Sequence, residues 1–183
     1  MIRKSKYIVA NALLLITLSV NISMPLFRVY VQNQGLNNGQ TALVLASYII
    51  GMLPCYIFLG GISDKIGRKK IMIISVLFAL LATSIITIQP DIFALVWARF
   101  CQGIALGLSM GTGTAYLTEL IEANLEKHAA TKAANIATFA TAIGFSGGAL
   151  TTTILIINHF TLVPVSYPIL IVLTVIGLIL MLF

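Results

Sequence analysis

The sequence predicts an all-α, polytopic membrane protein in which residues 1–183 form a single bundle of six transmembrane helices. Three observations predict this class. Hydrophobic residues make up 59% of the chain and charged residues only 9%, whereas soluble domains carry about 25% charged residues. The apolar residues fall in six long stretches, and a helix needs roughly 20 such residues to cross a bilayer. None of these stretches shows the strict alternation expected of a membrane barrel strand.

The six stretches define the predicted spans in chain order. The first is too long for a signal peptide, and no small-residue cleavage pattern follows it. Asp91 suits the start of the fourth helix, and Pro168 suits the first turn of the sixth. Pro54 lies inside the second, where we expect a kink. The predicted spans are Tyr7–Pro25, Thr41–Gly61, Ile71–Gln89, Asp91–Leu117, Ala133–Ile157 and Tyr167–Phe183.

The basic residues are distributed asymmetrically among the loops. Lysine and arginine mark the cytoplasmic side of membrane proteins, so we expect a cytoplasmic amino terminus in a cell membrane, and the composition suggests a bacterial cytoplasmic membrane. The net charge of +6 then reflects topology and contact with lipid headgroups. We therefore expect the lipid bilayer, and no nucleic acid, as a partner. The basic residues predicted on this side are Arg3, Lys4, Lys6, Lys65, Arg68, Lys69, Lys70, Lys127 and Lys132.

The residues that usually carry enzymatic chemistry are scattered. His128 and His159 fall in loops predicted on opposite sides of the membrane. Cys55 and Cys101 lie within spans and have no partner at a metal-ligand spacing, which is typical of small packing residues. We therefore expect no enzymatic activity, no metal and no cofactor.

The most specific motif lies between the second and third spans, from Gly60 to Lys70. A basic turn would explain its lysines, but not the aspartate at a helix end with a glycine four residues before it. The motif resembles the loop of the major facilitator superfamily that reads Gly-x-x-x-Asp-(Arg/Lys)-x-Gly-Arg-(Lys/Arg)-(Lys/Arg). The matching residues are Gly60, Asp64, Lys65, Gly67, Arg68, Lys69 and Lys70.

A second motif lies in the fourth span. Arg99, Gln102 and Gly103 match the Arg-x-x-Gln-Gly pattern of the same superfamily, and Glu119 resembles its acidic exit from that helix. The resemblance covers the whole chain as topology and implies the amino-terminal, six-helix half of a twelve-helix transporter. The stretch after Gly144 lacks the proline of the fifth-helix motif found in many antiporters, so drug/proton antiport is less strongly indicated.

The resemblance implies a secondary active transporter that moves a small solute by alternating access, with its site between two halves. Arg99 is the candidate cavity cation for an anionic group or for proton coupling, because a lone arginine at depth faces a cavity or the protein interior. A structural arginine bonded to carbonyls is the alternative. Apart from Asp91, the first residue of the fourth span, no aspartate or glutamate lies within a predicted span. The other candidate cavity residues are Gln102, Gly103, Asn21 and Asn135.

The resemblance also implies a conformational switch in the loop motif. Asp64 would dock against the carboxyl-terminal half, and Arg68 would bridge to Glu119. Solvated loop charges are the alternative. Small residues recur every four positions in three spans, which lets helices approach closely and suits either static packing or sliding between halves. These are Gly103, Gly107 and Gly111; Ala140, Gly144 and Gly148; and Ser47, Gly51 and Cys55.

Two functional alternatives remain open at this point. The chain ends at Phe183 inside an apolar stretch without a polar cap, and a carboxylate in hydrocarbon is costly, so we expect a longer protein. A transporter then needs the missing carboxyl-terminal half, or a second copy as a homodimer partner. The alternative is a truncated, non-transporting half or a membrane assembly partner.

Overall fold

A computed structural model describes residues 2–58, 61–88, 91–158 and 163–182. Within these residues every regular element is a helix, which confirms the predicted all-α class. Gly60, the first residue of the loop motif, lies outside the described residues, as does His159. The helices are α1 (Ile2–Asn21), α2 (Leu26–Gln34), α3 (Asn38–Phe58), α4 (Ile62–Ile66), α5 (Arg68–Ile88), α6 (Ile92–Glu122), α7 (Ala129–Asn158) and α8 (Ser166–Leu182).

Among the described residues, five helical segments are long and apolar enough to cross a membrane. The final helix, α8, is more apolar than these but has only 17 residues. The prediction of a multi-pass helical membrane protein is therefore confirmed. The five segments are Ser5–Gln32, Asn38–Phe58, Arg68–Ile88, Ile92–Glu122 and Ala129–Ile156.

The first span is longer than the sequence predicts, because the helix resumes after Pro25 as α2. Proline has no N–H group, so it cannot donate to the Asn21 carbonyl in the helical pattern. Met24 N–H donates to that carbonyl instead, at 3.2 Å, and Leu26 N–H donates to Ser23 O, also at 3.2 Å. Both bonds join an N–H group to the carbonyl three residues earlier, as in a 3₁₀ turn. The span is therefore divided into two helices, but it continues past Pro25.

Helices α1 and α6 form the centre of the bundle. Helix α1 contacts α5, α6, α7 and α8, while α6 contacts α1, α3, α5 and α7. More than half of each central span is buried, at 56% and 61%, against 22% for the spans of α3 and α7. The outer helices therefore keep wide exposed faces, and among the described residues α6 carries more buried polar side chains than any other helix.

Glycines set the closest helix contacts, as the recurring small residues predict. A Cβ on Gly103 would collide with the carbonyl of Tyr48 on α3, and one on Gly107 would lie 2.6 Å from the carbonyl of Met52. A Cβ on Gly148 of α7 would lie 2.6 Å from the carbonyl of Leu18 on α1. Gly111, in contrast, faces open space. The pairs α3–α6 and α1–α7 therefore pack backbone against backbone.

Candidate functional site

Arg99 lies deep in α6 and is only 1% exposed. The helix starts cleanly because the carboxylate of Asp91 accepts a bond from Ala94 N–H at 2.7 Å. Arg99 is the eighth residue of α6, which places it about 12 Å from the helix start. Its Nη1 donates to Val20 O at 2.8 Å and to Gln102 Oε1 at 3.1 Å. The guanidinium thus reaches the backbone of α1.

Gln102 reaches the same part of α1. Its Nε2 donates to Ser19 O at 2.7 Å. Ser19 and Val20 belong to the last turn of α1, where carbonyls have no helical donor of their own. A cation near a helix carboxyl terminus is also favoured by the helix dipole. Arg99 and Gln102 therefore cap the broken first helix, just before the turn at Pro25.

Aromatic rings complete the surroundings of Arg99. Its guanidinium carbon lies 5.0 Å from the centroid of the Phe27 ring and 6.0 Å from that of Tyr48, distances at which a ring face attracts a cation. Among the described residues no carboxylate pairs with Arg99. Its Nε and Nη2 groups have no hydrogen-bond partner there either. One edge of this buried cation is therefore unsatisfied.

The remaining candidate cavity residues occupy different environments. Gly103 is buried against α3. Asn21 Nδ2 donates to Phe145 O on α7 at 3.0 Å, so it links two helices. Asn135 is exposed on α7, ten residues before Phe145, or about 15 Å along the helix. The structure therefore brings Arg99 and Gln102 together at the end of α1 and places Asn135 elsewhere.

A small open cavity of about 150 Å³ lies between α1, α6 and α7. Thr114 and Thr141 both donate to carbonyls of their own helices, at 3.2 Å and 2.8 Å. Their oxygens keep lone pairs for a further partner. In the sequence, this site is marked only by the recurrence of threonine on adjacent turns of α7, at Thr138 and Thr141. The lining residues are Leu13, Met110, Thr114, Ala134, Ala137, Thr138 and Thr141.

The loop motif forms an ion cluster at the other end of α6. Gly67 has a φ of 103°, which a residue with a side chain rarely adopts, and this turn starts α5 at Arg68. Arg68 Nη2 lies 3.1 Å from Asp64 Oδ1, and Arg68 Nε lies 3.3 Å from Glu119 Oε1. The bridge to Glu119 that the resemblance implies is therefore present as a contact. Asp64 is 62% exposed and Glu119 53%.

The lysines of the motif are exposed and make fewer contacts. Lys69 Nζ donates to the carbonyl of Leu182 at 3.3 Å, so it lies at the carboxyl end of α8. Lys65 and Lys70 form no ion pair with a described residue. The structure thus brings Asp64, Arg68 and Glu119 together and leaves these two lysines facing outward.

A second ion cluster was not predicted from the sequence. Glu126, in the connection between α6 and α7, lies 2.8 Å from Lys6 Nζ and 3.0 Å from Lys132 Nζ. Hydrogen bonds from Lys6 first, and then from Lys132, lower the pKa of Glu126 to about 2. The cluster joins the start of α1 to the first turn of α7. From the sequence, Lys6 and Lys132 indicate only topology, because nothing local links Lys6 to Glu126, 120 positions away.

The model of the Major Facilitator Superfamily matches residues 9–183, so the chain belongs to this superfamily. It is 28% identical over 99 residues to an uncharacterized MFS-type transporter of Bacillus subtilis, covering 54% of this chain and 25% of that protein. It is 31% identical over 88 residues to a multidrug resistance protein of Vibrio parahaemolyticus, covering 47% and 22%. It is also 29% identical over 77 residues to the arabinose-proton symporter of Bacillus subtilis, covering 42% and 17%.

The predicted family is therefore confirmed. Of these three relatives, one is named as a transporter, one as a symporter and one as a multidrug resistance protein. This chain spans a quarter or less of the length of each of these three relatives. The roles of the individual site residues stay predictions.

Proposed function

We propose that the chain is the amino-terminal half of a secondary active transporter that moves a small solute by alternating access. The observation that carries this proposal is the open, hydroxyl-bearing cavity between α1, α6 and α7, in a chain of the Major Facilitator Superfamily. Solute sites in this architecture lie near the midplane, between two halves. One half supplies one wall, so the working transporter includes a carboxyl-terminal half or a second copy of the chain.

The chemistry of the cavity limits what this half does to the solute. Its lining is apolar apart from the hydroxyls of Thr114, Thr138 and Thr141. These can hydrogen-bond an uncharged polar group but cannot neutralise a charge. The carboxylates of this half lie at helix ends or in loops. A carboxylate for proton coupling would therefore come from the partner half, with Arg99 acting indirectly.

Two roles proposed for Arg99 are compatible with its geometry. As a cap, it holds the end of α1, which also carries Leu13 into the cavity wall. As an anion site, its free Nε and Nη2 groups would donate to a carboxylate of the solute or of the partner half. The cap has hydrogen bonds in support, whereas the anion site has only unsatisfied donors, so we favour the cap.

The loop cluster is the proposed conformational switch. Arg68 is shared between Asp64 and Glu119, and both carboxylates stay largely exposed. Exposed ion pairs contribute little stability, so Asp64 can leave Arg68 for a partner half at small cost. Asp64→Asn should therefore slow transport while membrane insertion stays normal; full transport would contradict the switch.

The transport test uses the chain together with its partner half in proteoliposomes. Suitable probes are arabinose, chloramphenicol and niacin, because these compounds appear in the names of three relatives of this chain. We expect Thr138→Val to weaken uptake of the transported probe about 2–10-fold, because one hydrogen bond is lost. Thr153→Val, an exposed threonine of α7 outside the cavity, is the matched control. Uptake that Thr138→Val leaves unchanged would exclude this cavity as the solute site.

The competing proposal is a membrane assembly partner without transport. It predicts no protein-dependent uptake of any probe, even though the chain inserts and binds its partner half. A solute gradient that drives counterflow of the same labelled solute would rule out that alternative, because counterflow requires a solute site that is exposed alternately to the two sides.

We further propose a cell-membrane location with the amino terminus in the cytoplasm. The ion cluster of Lys6, Glu126 and Lys132 supports it, since it holds two basic segments at one end of the bundle. Leu125 at that end is 94% exposed, and Val165 is exposed before α8. In intact cells, a membrane-impermeant maleimide should label Val165→Cys and not Leu125→Cys. The opposite pattern would reverse the orientation.

A further inference from the structure

An apolar groove runs along the bundle between α7 and α8. Both helices pack on α1 but contact each other at few positions. Gly148 holds α7 close to the α1 backbone, and Gly177 holds α8 close to Leu15. The groove between them has a volume of about 190 Å³. Its floor and walls are Leu18, Ile22, Thr151, Leu155, Ile169, Leu170 and Leu173, and Ser166 also lines it.

Ser166 gives the groove one polar end. Its hydroxyl is buried and has no hydrogen-bond partner among the described residues. A buried hydroxyl without a partner costs free energy. A ligand group that accepts a hydrogen bond from Ser166 would therefore be favoured at this end of the groove. Ser166 is the first residue of α8, at the end of the bundle remote from the ion clusters. From Ser166 to Leu173 the helix rises about 10 Å, and the lining along it is apolar.

The outward face of α8 indicates what fills this groove. Packed helices in membranes present small and polar residues to each other. The exposed residues of α8 are all apolar. Helix α7 differs, because Asn135, Thr138 and Ser146 lie on its exposed surface. We therefore expect α8 and its groove to face lipid, while the polar face of α7 meets protein or water.

We propose that the groove between α7 and α8 binds one acyl chain of a phospholipid, whose ester carbonyl accepts a hydrogen bond from Ser166. A phospholipid has its ester carbonyl near the membrane surface and its hydrocarbon below. The groove has the matching order, with the Ser166 hydroxyl at its end and apolar side chains below. The occupant comes from the leaflet at the Ser166 end. This lipid site does not depend on transport.

The test uses the purified chain in nanodiscs of phosphatidylethanolamine and phosphatidylglycerol that carry a diazirine in the upper acyl chain. After photolysis, mass spectrometry maps the labelled residues. Thr151→Trp fills the groove, whereas Thr153→Trp places the same bulk outside it. These two exposed threonines of α7 are a matched pair, because each donates to the carbonyl four residues earlier at 2.7 Å. Ser166→Ala removes only the hydroxyl.

We expect labelling to concentrate on the groove residues of α7 and α8 in the unaltered chain and in Thr153→Trp. Thr151→Trp should abolish it, and Ser166→Ala should lower it about 2–10-fold, as for one lost hydrogen bond. Equal labelling of the groove and of the exposed face of α3 would mean ordinary surrounding lipid and would overturn the proposal. So would equal losses in the two tryptophan variants. Unchanged labelling in Ser166→Ala would overturn the ester contact.

Discussion

Arg68 and Arg99 differ in their exposure and in the groups that surround their guanidinium groups. Arg68 is 24% exposed and pairs with the carboxylates of Asp64 and Glu119. Arg99 is 1% exposed and has two carbonyl-type acceptors and two rings around it, with no carboxylate among the described residues. Along α6, Glu119 lies 20 residues from Arg99, or about 30 Å. The two arginines therefore act at different depths.

The difference shows how depth determines the partner and the consequence of losing it. At the surface, water replaces either carboxylate of Arg68, so an ion pair there contributes about 0–1 kcal/mol. A buried donor or acceptor left unsatisfied costs about 1–3 kcal/mol. Arg68 is thus suited to exchange partners, and Arg99 is suited to fix one arrangement of α1 against α6.

Loss of Arg99 should have the largest effect on stability. Arg99→Ala removes the bonds to Val20 O and Gln102 Oε1 and leaves a cavity, so we expect a loss of about 2–5 kcal/mol. Thermal unfolding in detergent measures it. Arg28→Ala, an exposed arginine of α2, is the control and should change little. Equal melting temperatures for Arg99→Ala and the unaltered chain would refute the cap.

Separating α3 from α6 should have the next largest effect, because the Tyr48 ring over Arg99 depends on their close approach. Gly103→Ala places a Cβ against the carbonyl of Tyr48, and overpacking of this kind costs about 1–3 kcal/mol. Gly111→Ala on the same helix faces open space and is the matched control. If both variants unfold at the same temperature, close packing at Gly103 is not what holds these helices together.

At the surface cluster we expect a smaller loss. Glu119→Gln should reduce the free energy of unfolding by about 0–1 kcal/mol, and the difference should shrink as salt is added. If the cluster is a switch, Glu119→Gln should slow transport clearly although it changes the free energy of unfolding only slightly. A loss as large as that of Arg99→Ala, insensitive to salt, would show that the two arginines do not differ in kind.

The Glu126 cluster should give the smallest signal, visible only in acid. Its folded pKa of about 2 lies below the ordinary value of 4.5, so the ionised carboxylate stabilises the fold above pH 4.5. That contribution is lost as the pH falls from 4.5 through 2. Glu126→Gln should therefore flatten the pH dependence of unfolding in this window, and Glu122→Gln, an exposed neighbour, should not. A steep dependence that survives Glu126→Gln would exclude this cluster as its source.

Local signals in the sequence were enough for the helical membrane class and the family. Apolar stretches of membrane length predict helices, because backbone groups in lipid must bond within their own segment. The motif from Asp64 to Arg68 predicts the loop, since Gly67 permits the turn with positive φ that starts α5. The break at Pro25 is also a local effect, but the resumption of the helix as α2 is not marked by any residue type.

By itself, then, the sequence determined a multi-pass helical membrane protein of the Major Facilitator Superfamily, with its charged loops and its closely packed glycine faces. Only the tertiary structure decided the partners of the polar side chains. Arg99 meets Val20 across 79 positions, and Lys6 meets Glu126 across 120. No local propensity encodes such pairs, because they depend on which helix faces which. The same holds for the groove at Ser166, since it exists only where α7 and α8 diverge over α1.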